Sequence, residues 1–180
     1  MAINLASLRK QTSTIPPLLL LYGTAGMGKT STALEGPEAV YLQIHPERPP
    51  AHLEANSFGE LTTYTEVVEA LGALYQEPHA YRTVVVDSLD ALEVLIWAET
   101  CRRMNWKDLE EPGYGKGYNA AVDLWRVLLT ELERGWQKGI NIIIVSTRTM
   151  RPLPEAGENL APPCPSKTPN SEAFSSPSRA

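Results

Sequence analysis

Residues 23–30 read Gly-Thr-Ala-Gly-Met-Gly-Lys-Thr, a full match to the pattern G-x-x-x-x-G-K-[ST]. The apolar run Leu18-Leu19-Leu20-Leu21-Tyr22 precedes it directly, and a helix-compatible stretch from Thr30 to Glu35 follows. A buried strand feeding a glycine loop that opens a helix is the setting in which this pattern cradles phosphate. No other feature of the chain restricts its fold as much. Gly23, Gly26 and Gly28 are expected to allow turns closed to residues with side chains, so that amide N–H groups point inward at phosphate oxygens. The amino end of the following helix adds partial positive charge. Lys29 is expected to reach the terminal phosphates, and the Thr30 hydroxyl to hold Mg²⁺. The expected nucleotide-contacting set is Gly23, Thr24, Ala25, Gly26, Met27, Gly28, Lys29, Thr30 and Ser31.

Strand and helix signals alternate after the loop. Gly36 and Pro37 break the first helix, and Ala39-Val40-Tyr41-Leu42-Gln43-Ile44 reads as a short buried strand. Residues 45–62, with Pro46, Pro49 and Pro50, read as a loop. Thr63-Tyr64-Thr65-Glu66 fits a capping box, and Val67, Val68, Leu71 and Leu74 continue it as a helix. Thr83-Val84-Val85-Val86-Asp87 is a β-branched run ending in a carboxylate, and Leu89, Leu92, Leu95 and Ile96 give helical spacing to about Met104. A polar, glycine-rich loop spans 105–117. Ala121, Val122, Trp125, Leu128, Leu129 and Leu132 then mark a long helix ending near Gly139, before the apolar strand Asn141–Ser146. Apolar strands separated by helices predict an α/β fold with a mostly parallel sheet and helices on both faces.

At 180 residues the chain can bury one real core. A net charge of −5 excludes a global basic field, so any polynucleotide contact needs a local patch. Cys101 and Cys164 lie far apart in dissimilar segments, with no metal spacing and no disulfide framework, which makes a reduced cytoplasmic setting the default. No apolar run is long enough to span a membrane. The composition changes abruptly at Thr147: residues 151–180 hold seven prolines and five serines, with Leu153, Leu160 and Phe174 as the large apolar residues. Such a segment cannot bury enough surface to offset its ordering entropy. The expected organisation is therefore an amino-terminal arm (1–14), a core (15–146) and a Pro/Ser-rich disordered tail (147–180). The tail reads equally as a natural extension or as the product of a frame change or truncation.

A phosphate loop needs a partner carboxylate for Mg²⁺. Asp87 lies at the carboxyl end of its strand, where ligands sit in open parallel sheets. It could also cap the helix that follows, a role for which Ser88 competes. Asp90, one turn on, reads as a solvated first-turn acid. For orienting the attacking water, His45 and Glu47 are the local candidates beyond the strand ending at Ile44. Ser146, Thr147 and Arg148 are candidates to sense the γ-phosphate. In Gly113-Tyr114-Gly115-Lys116-Gly117-Tyr118, glycines offer backbone access, Lys116 a phosphate contact, and Tyr114 and Tyr118 stacking faces for single-stranded DNA. The same segment also reads as a mobile interhelix loop.

With both halves of the site placed, the chain resembles a RecA-like P-loop ATPase. More narrowly it is similar to phage-encoded AAA-type ATP-binding proteins linked to single-strand annealing and recombination. The residues that carry this are Gly23 to Thr30, then Thr83-Val84-Val85-Val86-Asp87-Ser88-Leu89-Asp90, in which Ser follows the metal-binding Asp. Glu93 to Arg103 and Gly113 to Trp125 also look like this group. The resemblance implies a three-layer P-loop NTPase sandwich, ATP and Mg²⁺ as ligands, Lys29 in catalysis, Thr30 and Asp87 at the metal, and a homo-oligomer in the cytoplasm of a bacterial host. There are two departures. The family usually places a Glu after the second strand to activate water; here Gln43-Ile44-His45-Pro46-Glu47 displaces the carboxylate to Glu47 or replaces it by His45. The family also continues past the fourth strand into a sensor residue, a DNA-binding loop and further strands, which the sequence after Thr147 does not resemble, so the sheet is expected to lack its carboxyl-terminal strands. The expected function is a Mg-dependent ATPase acting on single-stranded DNA. The alternatives are a nucleotide-binding protein without efficient hydrolysis and a small-molecule kinase, for which no arginine cluster is seen.

Overall fold

The computed structural model describes residues 15–147. The expected amino-terminal arm and all of the expected Pro/Ser tail except Thr147, Arg148 included, lie outside the described residues. In chain order the elements are β1 (Leu18–Gly23), α1 (Lys29–Leu34), β2 (Ala39–Ile44), β3 (Asn56–Leu61), α2 (Tyr64–Gln76), β4 (Thr83–Asp87), α3 (Leu89–Met104), α4 (Lys116–Gln137) and β5 (Asn141–Thr147). The strands form one sheet in the order β1-β5-β4-β2-β3, and every pairing is parallel. The expected α/β P-loop NTPase fold is therefore present.

Five-residue β4 is buried along its whole length, as its unbroken β-branched run requires of a central strand. Alternate residues of the inner strands serve two cores. Val40, Leu42, Val84, Val86 and Ile142 face α2, α3 and α4; Tyr41, Val85, Ile143 and Val145 face α1. Helices thus lie on both faces, as three layers. The Thr63 capping box forms as expected: the Thr63 hydroxyl accepts from the Glu66 N–H at 3.2 Å, and the Glu66 carboxylate accepts from the Thr63 N–H at 3.0 Å. The N–H groups of Thr62 and Thr63 hold the Glu66 carboxyl below its ordinary range.

Two features depart from the sequence reading. Residues 56–61 form a strand rather than a loop. Asn56-Ser57-Phe58-Gly59-Glu60-Leu61 has no apolar alternation because β3 is an edge strand exposed along nearly all its length. Cys101, buried in α3, is disulfide-bonded, against the expectation of no disulfide framework.

α2 and α4 run side by side in the same direction. The Tyr64 hydroxyl donates to the Leu124 carbonyl at 3.0 Å near one end. At the other, Gly135 lies so close to Tyr75 that a Cβ there would sit 2.6 Å from its ring. Nothing larger than glycine fits at that contact. Within α3, buried Glu99 accepts from Arg102 Nε and Arg103 Nε, each at 2.7 Å. The hydrogen bonds from Arg102, and then from Arg103, pull its carboxyl down to about 2 from 4.5. Because the folded state binds this proton less readily than the unfolded state, the stabilisation is complete above the ordinary pKa and is lost as pH falls from 4.5 toward 2. Both arginines are more than half exposed, so Glu99→Gln is expected to cost about 1 kcal/mol at pH 7. Urea unfolding should show that gap narrowing steadily below the ordinary pKa of glutamate; a gap independent of pH would refute the ion-pair account.

Candidate nucleotide site

The phosphate-loop motif sits at the carboxyl end of β1, where the register pairs Gly23 with Thr147 of β5. Two strands away, Asp87 ends β4 opposite Val145. Neighbouring strands lie about 5 Å apart, so the loop and Asp87 flank the end of β5 across about 10 Å. α1 closes this gap. Its second residue, Thr30, donates its hydroxyl hydrogen bond to Asp87 Oδ2 at 2.6 Å. The residues that the sequence assigned to one metal site therefore meet in space.

Gly26 and Gly28 adopt φ of 80° and 79°, the left-handed turns that the loop was expected to need. Gly23 does not; it is the last residue of β1 and lies against Met27 and Lys29. The Lys29 ammonium donates to the carbonyls of Gly23 at 3.0 Å and Thr24 at 2.9 Å, which holds the charge inside the loop. An open cleft of about 310 Å³ runs beside the loop, lined by Leu20, Tyr22, Met27, Lys29 and Thr32 among others.

Asp87 is 3% exposed. Burial raises its pKa; hydrogen bonds from Thr30 and Tyr41 and the charge of Lys29 act in the opposite direction. Tyr41, buried on β2, donates to the same Oδ2 at 3.2 Å. Burial, and then the nearby Asp87 charge, push the Tyr41 phenol up, which keeps it a neutral donor. Sequence reading placed Tyr41 in an apolar strand and missed this contact. Its one signal is a hydroxyl on a buried strand beside β4, and that is visible only once the strand order is known.

Ser88 settles the competition for the helix cap. Its hydroxyl accepts from the Ala91 N–H at 3.2 Å, leaving the Asp87 carboxylate turned to Thr30. The same hydroxyl donates to Glu47 Oε1 at 3.0 Å, which brings Glu47 next to the metal-site strand. His45 points elsewhere: its Nδ1 lies 2.8 Å from Glu60 Oε1 on the exposed edge. Asp90 is not a merely solvated acid. Its Oδ2 accepts from the Ser146 hydroxyl at 3.1 Å and the Thr147 N–H at 2.7 Å, tying the end of β5 to the first turn of α3. Ser31 lies half-buried in the first turn of α1.

The donor set fits a hard divalent cation. A hydroxyl and a carboxylate are oxygen ligands, and Mg²⁺ is typically held by one or two protein oxygens together with phosphate oxygens and water. Among the described residues no cluster of three or more His, Cys, Asp or Glu is placed to hold a metal ion.

The AAA domain family model matches residues 16–170, most of the chain. The chain belongs to the AAA domain family. Membership makes it a nucleotide-binding protein of the P-loop ATPase class, with Mg²⁺ as the usual companion of the nucleotide. No curated protein matches the chain. Among the described residues no helix is long and apolar enough to cross a membrane.

The segment expected to meet DNA is divided by the structure. Gly113, Tyr114 and Gly115 take φ of 67°, 52° and 69°, and the Tyr114 side chain is fully exposed beside exposed Lys116. Tyr118 instead packs edge-on against Trp97, with ring centroids 6.1 Å apart. The main chain at Gly117 passes so close to Leu109 that no Cβ would fit.

Proposed function

We propose that this AAA domain protein is a Mg-dependent ATPase that acts on single-stranded DNA in recombination or annealing of the phage type. The contact between Thr30 and Asp87 carries the reading. It joins the phosphate loop to an acidic strand end that could share a metal with it. The loop amides at Gly26 and Gly28 and the Lys29 ammonium would neutralise charge that develops on the phosphates. A bound Mg²⁺, held through Thr30 and Asp87, would supply further positive charge at the phosphate oxygens. Glu47 is the residue proposed to accept a proton from the attacking water. Its carboxylate accepts from the Ser88 hydroxyl at the end of β4, which orients one of its oxygens. His45, held by Glu60, is not favoured for that step.

For the DNA, Tyr114 offers an unobstructed ring for base stacking and Lys116 a phosphate contact, whereas Tyr118 is engaged in packing. A second reading, a nucleotide-binding protein without efficient turnover, draws on the engagement of Glu47 by Ser88. ATP turnover with and without single-stranded DNA separates the two. Stimulation by DNA supports the first reading, and Mg·ATP binding without turnover supports the second. Lys116→Ala is expected to weaken DNA binding several-fold at moderate salt and to lower the slope of log K against log salt by about one. Identical slopes for variant and parent would remove Lys116 from the interface.

A further inference from the structure

Tyr41 stands where α1 meets the sheet. It is fully buried on β2 and packs with Ala33 of α1, Val85 of β4, and Ile143 and Val145 of β5. Those neighbours are all apolar. A buried hydroxyl costs free energy unless it is hydrogen-bonded, so phenylalanine would fill this place at least as well on packing grounds. The register pairs Tyr41 with Val85 and Gln43 with Asp87, so the residue directly beside Asp87 is Gln43. Tyr41 lies two places earlier, about 7 Å back along the strand. A phenol is long enough to cover that distance, and the Tyr41 hydroxyl donates to Asp87 Oδ2 at 3.2 Å.

Both side-chain hydrogen bonds that Asp87 accepts fall on this one oxygen, from Thr30 at 2.6 Å and from Tyr41 at 3.2 Å. The two donors differ in kind. Thr30 is half-buried in the first turn of α1 and belongs to the phosphate loop. Tyr41 is enclosed in a core and carries no other polar side-chain atom. The terminal torsion of an aspartate is broad, so a carboxylate held by a single donor can swing about it. A second donor on the same oxygen, anchored to a different element, narrows that swing. Oδ1 accepts neither bond and is the oxygen left for a cation or its water.

We propose that Tyr41 is a positioning residue for the divalent cation, its hydroxyl fixing the Asp87 carboxylate so that Oδ1 and the Thr30 hydroxyl act on the same ion. This role presupposes the Mg-dependent nucleotide site proposed for the loop. Tyr41 acts through Asp87 and not on the nucleotide. The groups that hold the phosphates are independent of it, since the Lys29 ammonium bonds to the carbonyls of Gly23 and Thr24 within its own loop. Loss of the hydroxyl should therefore fall on the cation and spare the phosphates.

The test is calorimetric titration of the full chain with ATP, in excess Mg²⁺ and in chelator, for the parent and for Tyr41→Phe. The ratio of the two affinities is the gain that the cation brings. Partners that orient a metal-ligating group are worth about 10- to 100-fold in metal affinity, so Tyr41→Phe is expected to cut the gain about 10-fold and to leave the affinity in chelator within about two-fold. Tyr75→Phe is the control. Tyr75 is a buried tyrosine of α2 in the core on the other face of the sheet, and its hydroxyl has no hydrogen-bond partner. Its loss should leave the gain as in the parent.

An unchanged gain in Tyr41→Phe overturns the proposal, and so does an equal fall in Tyr75→Phe. A loss of affinity that is the same with and without the cation, or a Tyr41→Phe chain that shows no cooperative thermal unfolding, assigns the hydroxyl to the fold and overturns it as well. A parent that binds no ATP, or binds it equally well in chelator, fails the Mg-dependent nucleotide site itself and takes this role of Tyr41 with it.

Discussion

Lys29→Ala is expected to weaken Mg·ATP binding by about 100-fold or more, the loss of one charge-assisted contact to phosphate being worth about 3 kcal/mol or more in a site built around it. The fold should survive. Lys29 makes its hydrogen bonds to the carbonyls of Gly23 and Thr24 within the loop itself and supports no other element through them. Titration calorimetry with Mg·ATP reads the affinity, and thermal unfolding without nucleotide reads the fold. The parent should gain thermal stability from the nucleotide, because a ligand that binds only the native state stabilises it by mass action, and the variant should not. If the variant binds as the parent does, the phosphate loop of this chain is a glycine turn with no ligand, and the proposed ATPase goes with it.

Glu47→Gln is expected to leave Mg·ATP affinity within a few-fold of the parent and to lower turnover by a factor of about 10² to 10³. The substitution is chosen for geometry. An amide oxygen can still accept the Ser88 hydroxyl that Glu47 accepts at 3.0 Å, so the side chain should keep its place while losing its capacity as a base. Single-turnover hydrolysis beside equilibrium binding separates the two effects. Turnover equal to that of the parent would exclude Glu47 as the water-orienting residue. His45→Ala, on the exposed edge with Glu60, is expected to change turnover little.

The distribution of what could be read from sequence follows from the range of the interactions involved. The phosphate loop is local: its glycines, lysine and threonine are consecutive, and Gly26 and Gly28 take the left-handed turns that their residue type permits. The capping box at Thr63 and the apolar strand β4 are local for the same reason. β3 escaped because an exposed edge strand has no buried face to impose alternation on its residues. Asp90 was misread because its partners, Ser146 and Thr147, lie more than fifty residues away and reach it only when β5 inserts between β1 and β4.

Sequence alone determined the ligand chemistry of this protein. Backbone turns open to glycine and a lysine beside a hydroxyl are encoded within eight consecutive residues, and no distant contact is needed to specify them. Tertiary structure decided which side chains share the site with that loop. Strand order brings Asp87 to Thr30, Tyr41 to Asp87 and Glu47 to Ser88, separations of about forty to sixty residues that only closure of the parallel sheet removes. It also decided that β1, which reads as a buried strand from its leucines, stands at an edge of the described sheet with its apolar side chains exposed. A hydrophobic run specifies that a strand will be covered, but the covering element is set by packing rather than by the run itself.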